Sequence, residues 1–269
     1  MKMKFFLACV TLSIILFSCQ KEDKIQSTST NNIPADVINK IQAQGFSTDG
    51  IRATNGGYVV EGDIFLSIEA LSTPNIGPVL RVGDEEQYHT TNLITRLPRT
   101  ITVSISGLSS IFVNATDNAI ARYNAQNLRL HFTRVASGGQ VKIVGADLGG
   151  GGILGQSAGF PDANGNPASP IKLNTHPGTF AGANVKFLAT IIAHEVGHCV
   201  GFRHTDYKNR AYSCGGIRYN EGQAGVGAIW IPGTPKAPND PDSWMLACIS
   251  FNENRPFNPN DIIALNFLF

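Results

Sequence analysis

Three histidines fall within eleven residues of the segment AHEVGHCVGFRHTD, residues 193–206. His194 and His198 are four residues apart, so on a helix their imidazoles project from one face and can bind one metal ion. Glu195 follows the first histidine and can reach a water molecule beside that ion. In the H-E-x-x-H arrangement, two histidines bind zinc and the glutamate accepts a proton from the water. The segment therefore predicts a metal site for hydrolytic chemistry.

A third ligand is available from His204, provided that the helix ends before it. Gly201 can adopt a positive φ at low steric cost, so the chain can turn back there and bring His204 to the ion. In a continuous helix, His204 would lie about three turns beyond His194. The alternative is a buried amphipathic helix whose histidines make core hydrogen bonds, but five required residues at fixed offsets favour the metal site. The other histidines are expected to be structural or at the surface: His89, His131 and His176.

The elements around this segment predict an α+β fold. Alternating apolar residues indicate strands in RTITVSIS, LRLHF, VKIVGAD and SPIKLNT, and NATDNAIARYNAQ has helical spacing. These pieces lead into the helix NVKFLATIIAHEVGHC, which would carry the first two histidines on a mixed sheet. The formal net charge of +1 comes with no basic stripe, so no nucleic-acid partner is expected.

The N-terminus has the pattern of an export signal. Residues 1–18 contain two lysines and a short apolar run, which is typical of a signal peptide. The run ends at LFSC, which resembles a bacterial lipobox with Cys19 as the lipidated residue; an ordinary signal peptide is the alternative. We therefore expect a lipid anchor in the outer membrane of a bacterial cell envelope, with the chain surface-exposed or released. Residues 19–32 would be a tether, residues 33–90 a pro-like segment, and residues 91–269 the catalytic domain.

Export would place the chain in an oxidising compartment, which favours one disulfide among the three remaining cysteines. These are Cys199, Cys214 and Cys248, and the sequence leaves their pairing open.

The motif HEVGHCVGFRHTD resembles the metzincin zinc peptidases and is most similar to the bacterial dual-action HEIGH metallopeptidases. The resemblance implies a metzincin-like domain that binds one catalytic Zn²⁺ and cleaves protein or peptide substrates. Met245, in DSWMLAC, would form the methionine turn beneath the metal. The substrate would lie along an edge strand near GQSAGFP, and NPNDIIALNFLF would be the closing helix. Leu246 and Ala247 follow Met245 where some metzincins have a tyrosine, which leaves Tyr207 and Tyr219 as candidates for that role.

A second motif, VEGDI at residues 60–64, resembles the aspartate-switch segment of astacin propeptides. The resemblance implies that Asp63 is a latency ligand on the open position of the zinc. A Gly-Asp turn between two strands is the alternative. No cysteine lies between Cys19 and Cys199, so an upstream cysteine switch is excluded. Cleavage near Arg96 or Arg99 would then release the pro-like segment.

Three functions are compatible with these motifs. The first is an active zinc endopeptidase with Glu195 as general base, made as a latent zymogen. The second is an inactive zinc-binding surface lipoprotein that acts as a binding module, and the third is a zinc hydrolase that does not act on peptides. Glu195 favours an enzyme, because a structural zinc site does not need a base between its histidines.

Asp206 is the expected partner of a ligand histidine. The sequence leaves the natural substrate and the oligomeric state open.

Overall fold

The computed structural model describes residues 33–44, 46–72, 87–216, 218, 220–222, 227–235 and 240–269. The predicted signal peptide, Cys19 and the tether lie outside this part of the chain. None of the described helices is both long and apolar enough to cross a membrane.

The helices are α1 (Ala35–Ala43), α2 (Ser110–Asn124), α3 (Val185–Val200), α4 (Ala211–Cys214) and α5 (Pro259–Leu268). The strands are β1 (Arg52–Thr54), β2 (Gly57–Val60), β3 (Ile64–Ser67), β4 (Tyr88–His89), β5 (Arg99–Ser106), β6 (Leu130–Arg134), β7 (Val141–Ala146), β8 (Gly155–Gln156), β9 (Ile171–Asn174) and β10 (Ile229–Trp230).

The main sheet has five strands in the order β6-β5-β7-β9-β8. The first four are parallel, and β8 pairs antiparallel with β9 at the edge. Alternation of apolar residues explains the parallel strands, because Ile101, Val103 and Ile143 point into the main core and are buried. The predicted α+β class with a mixed sheet is confirmed.

Helix α3 begins and ends where local sequence requires it. The Asn184 side chain caps its first turn by accepting a hydrogen bond from the backbone N–H of Phe187. The helix ends at Gly201, which has a left-handed φ of 119°. A β-carbon at this position would lie 2.6 Å from Leu93 Cδ2, so glycine is required both for the turn and for the close packing.

The last helix, α5, is fixed by the capping box that the sequence predicts. Asn258 and Asp261 exchange side chain-to-backbone hydrogen bonds, and Pro259 occupies the first turn. The carboxylate of Asp261 also accepts hydrogen bonds from Trp244 N–H and from Gln87 Nε2. The chain end is therefore attached to the turn that contains Met245.

Residues 87–90 lie just before the predicted domain boundary and pack against residues that follow it. Strand β4 pairs with β10, and His89 forms a bridge to Phe202 just after helix α3. Gln87 is fully buried against Ser243 and Asp261. These contacts attach residues 87–90 to the chain that follows helix α3.

The pro-like residues 33–72 form a small unit with a core of their own. Helix α1 packs with the antiparallel strands β1, β2 and β3 around a core that includes Ile41 and Val60. Strands β2 and β3 are joined by a turn at residues 61–63, which includes the Gly-Asp pair of the VEGDI motif. Arg99 is the first residue of β5 and is bonded within the main sheet, so its backbone is a poor cleavage site.

Candidate metal centre

Helix α3 and the turn at Gly201 bring the three histidines of the motif to one point. His198 Nε2 lies 3.1 Å from His194 Nε2 and 3.2 Å from His204 Nε2. All three residues are buried, with His198 and His204 fully inaccessible. His204 can join the cluster only because the helix stops at Gly201, as the sequence predicts.

The second nitrogen of each ring identifies the protonation pattern. Nδ1 of His194 lies 2.9 Å from the Trp244 carbonyl oxygen, and Nδ1 of His198 lies 2.9 Å from that of Phe202. Nδ1 of His204 lies 2.7 Å from Glu221 Oε1. Because carbonyl and carboxylate oxygens accept hydrogen bonds, each Nδ1 is a donor and each Nε2 faces the other two. A histidine that binds a metal ion through Nε2 has this arrangement, with its Nδ1–H held by an acceptor.

Asp63, from the turn between β2 and β3, supplies a fourth ligand atom. Its Oδ2 lies 3.1 Å from His204 Nε2 and 3.6 Å from His194 Nε2. One ligand atom from each of the four residues lies within 4.8 Å of all the others. Tetrahedral zinc sites hold His nitrogen and carboxylate oxygen at about 2.0–2.2 Å, so their ligand atoms are about 3.3 Å apart. The donor set and its spacing therefore fit Zn²⁺.

Glu195 lies beside the cluster without being part of it. The residue is 2% exposed, and its Oε2 is buried with no hydrogen-bond partner among the described residues. Burial, and after it the negative charge of Asp63, raises the pKa of Glu195 well above its usual value. Burial alone would also raise the pKa of Asp63, but His204 and His194 outweigh it and hold that pKa well below the usual value.

The turn that contains Met245 lies against helix α3. Met245 is fully buried, and a β-carbon on Gly197 would lie 2.5 Å from its Sδ. The backbone carbonyl of Met245 accepts a hydrogen bond from Thr205 N–H, next to His204. The position fits the methionine turn that the resemblance implies.

The partner of the third histidine is not the one expected from sequence. Asp206 accepts hydrogen bonds from Ser213 and from the Ala247 backbone N–H, and no hydrogen bond joins it to a ligand histidine. Glu221 takes that role at His204 instead. Nothing in the sequence marks Glu221, because it is 17 residues away in a loop.

The disulfide pairing is decided by the structure. Cys214 and Cys248 are joined, and Cys199 is a free, buried thiol in helix α3. The bond connects helix α4 to the chain just after Met245.

The segment predicted to bind substrate bonds the pro-like chain, and a cavity opens nearby. Ser157, just after β8, bonds the pro-like chain in a parallel arrangement: its N–H donates to the Asp63 carbonyl, and its carbonyl accepts from Phe65 N–H. A cavity of about 600 Å³ opens beside Glu195. Its apolar wall includes Ile153, Leu154, Ile191, Leu246 and Ile249.

The tyrosines and remaining histidines lie elsewhere. Tyr207 is fully buried with its ring edge-on to Tyr88, and Tyr219 lies outside the described residues. His131 is exposed, His176 pairs with Asp147, and His89 bonds the Thr90 carbonyl. These three histidines take no part in the cluster, as expected.

Residues 58–269 match the family model of the dual-action HEIGH metallo-peptidases. The chain belongs to this family. The resemblance seen in the motif is therefore confirmed.

Two solved structures of myroilysin are similar to parts of this HEIGH metallopeptidase. They share 16% sequence identity with it, with TM-scores of 0.34 and 0.31. The matches cover 45% and 42% of this chain and 56% and 48% of the myroilysin chains, so the chain spans about half of each. No curated protein matches.

Proposed function

We propose that this protein is a zinc endopeptidase made in a latent form. The observation that carries the proposal is the convergence of three histidine Nε2 atoms beside a buried glutamate oxygen that has no hydrogen-bond partner among the described residues. His194, His198 and His204 would hold one Zn²⁺, which supplies Lewis-acid chemistry by polarising the scissile carbonyl and making water nucleophilic. Glu195 takes a proton from the attacking water as the C–O bond forms. It then gives that proton to the amine that leaves as the C–N bond breaks.

The test of this function is metal removal. Purified full chain with Asp63 replaced by alanine should contain about one zinc per chain and digest casein, because the site has one set of histidine ligands. A chelator should abolish the digestion, and added Zn²⁺ should restore it. Proteolysis by metal-free protein would contradict the proposal. Stoichiometric zinc without any proteolysis would instead favour the inactive zinc-binding lipoprotein.

The pro-like turn supports the latency part of the proposal in two ways. Asp63 places a carboxylate oxygen among the histidine nitrogens, where a water molecule would have to bind. Residues 63–65 also make backbone hydrogen bonds to Ser157, just after the edge strand β8. An extended substrate would use that edge for backbone hydrogen bonds. The turn therefore blocks both the water position and the substrate edge.

The cavity beside Glu195 supports a preference for substrates with a bulky apolar side chain near the scissile bond. One part of its wall is aliphatic, and its volume of about 600 Å³ exceeds what a small side chain fills. Thr190 and Arg255 also line it, but they are hydrogen-bonded to each other through Thr190 Oγ1 and the Arg255 backbone N–H. An apolar substrate side chain would gain free energy by burial against the aliphatic part of the wall.

Filling this cavity should change specificity. Ala247 lines the cavity, and Ala247→Phe should lower kcat/KM for peptides with a leucine or phenylalanine there by at least about tenfold. Peptides with alanine at the same position should be cleaved as before, because they do not need the lost volume. Cleavage of a mixed peptide library by the two proteins, followed by mass spectrometry, measures the difference. An unchanged profile would show that substrates do not use the cavity.

We further propose that Cys19 is lipidated after removal of residues 1–18 and that residues 19–32 tether the enzyme to the outer membrane. The lysines, apolar run and LFSC sequence support this localisation. Residues 33–72 are then the inhibitory segment, and the catalytic domain begins by residue 87.

A further inference from the structure

We propose that Glu221 is a positioning residue for the third metal ligand, and that Arg210 links it to the inhibitory turn at residues 61–63. This inference rests on the metal site proposed above but not on the latency of the chain. It concerns the ring of His204 and the affinity for the ion, rather than a group that touches substrate.

His204 needs a positioning residue more than the other two histidines do. His194 and His198 are held by helix α3, and their Nδ1 atoms donate to backbone carbonyls. His204 lies in the chain after the helix, and its Nδ1 donates to a carboxylate, Glu221 Oε1, at 2.7 Å. A charged acceptor fixes the ring orientation and makes the opposite nitrogen a stronger metal ligand.

Glu221 is itself held from two sides. Its backbone N–H donates to the Tyr207 carbonyl at 2.8 Å, three residues after His204. Its Oε1 also accepts from Arg210 Nη1 at 2.8 Å, and the whole residue is buried. The carboxylate therefore has little freedom to leave the histidine.

The same arginine reaches the inhibitory turn. Arg210 Nη1 also donates to the backbone carbonyl of Glu61. Beside it, Arg203 is fully buried and its Nη2 donates to both carboxylate oxygens of Glu61, at 2.8 and 2.9 Å. Glu221 Oε2 lies 3.7 Å from Arg203 and has no hydrogen-bond partner among the described residues.

Charge balance gives this network a consequence for metal binding. With Glu61 present, the two arginines share two carboxylates. Without it, Glu221 is the one carboxylate within 4.0 Å of Arg203 in the described part of the chain. The arginines would then draw Glu221 towards themselves and weaken its bond to His204. The inhibitory turn thus supports the metal site through Glu221 as well as through Asp63.

Metal affinity of the full chain tests the proposal without relying on activity. We expect Glu221→Gln to raise the zinc dissociation constant, measured by competition with a chromophoric chelator, by about 10- to 100-fold. Glu61→Gln should raise it by less, because Glu221 remains. Glu221→Asp should recover part of the loss. The matched control is Asp240→Asn, a buried carboxylate that bonds Asn258 and Asn260 and should leave the affinity unchanged.

A measurement on the unmodified chain covers the case in which the glutamine variant does not fold. In the zinc-loaded protein, one of three ligand-histidine Nδ1–H protons should resonate downfield of the other two by NMR, because its acceptor is charged. Wild-type affinity in Glu221→Gln, or three equivalent ring protons, would overturn the proposal. Loss of affinity in Glu221→Gln would support it even if Asp63→Ala failed to activate the chain. A wild-type chain that binds no zinc would refute both this proposal and the metal function.

Discussion

Replacing Asp63 with alanine should raise the proteolytic activity of the uncleaved chain by about 100-fold, if the inhibitory turn leaves the site open in about 1% of molecules. The physical reason is the position of Asp63 Oδ2, which lies 3.1 Å from His204 Nε2 and 3.6 Å from His194 Nε2. A carboxylate there competes directly with the water that the reaction requires. Initial rates of peptide hydrolysis by the intact proteins, at equal zinc content, provide the measurement.

The matched control is Asp36→Ala in the same pro-like segment. Asp36 is exposed on helix α1 and pairs with Lys40, far along the chain from the turn. An exposed ion pair contributes little to stability, so this variant should keep the low activity of the intact chain. If Asp63→Ala and wild-type chains were equally active while both carried zinc, Asp63 would be only a turn residue.

Glu195→Gln should lower kcat by about 10³-fold, within the range expected for loss of a general base. The amide has nearly the same shape but cannot take the proton from water. Because Glu195 does not contribute to the cluster of ligand atoms, the variant should still bind zinc. The comparison is made in the Asp63→Ala background, where the site is open, with hydrolysis rate and zinc content measured on the same sample.

Glu69→Gln serves as the control for this substitution, because Glu69 is exposed in the pro-like segment. It removes one carboxylate charge and should leave kcat unchanged. Proteolysis that persists at the same rate in Glu195→Gln would exclude the assigned mechanism. Loss of zinc together with activity would instead indicate that the glutamate supports the site structurally.

These two predictions separate the competing functions that the sequence allows. An inactive zinc-binding lipoprotein would bind zinc in every variant and cleave nothing, even with Asp63 removed. A latent peptidase would respond to the two substitutions in opposite directions. The position of Glu195, buried beside the histidines with one oxygen unpartnered, favours the peptidase.

The contacts that surround the site could not be predicted in the same way as its ligands. Asp206 was the expected partner of a ligand histidine because it is two residues from His204, but it bonds Ser213 and Ala247 instead. Gln87 likewise bonds Asp261, 174 residues along the chain, which no local pattern predicts. Sequence distance is a poor guide to such contacts because three-dimensional packing decides them.

The sequence by itself determined the proposed metal ligands, the proposed base and the helix that carries them. Helical spacing puts His194 and His198 on one face, and a glycine at position 201 allows the turn that returns His204; these are local effects of backbone geometry. Only the tertiary structure decided that Glu221 bonds His204, that Glu61 neutralises Arg203, and that Cys214 pairs with Cys248. Such contacts join residues 17 to 142 positions apart, and no local pattern encodes them. The two contacts of the glutamates form because buried charges must find partners once the core has closed around them, and the disulfide forms because the fold brings its two sulfurs together.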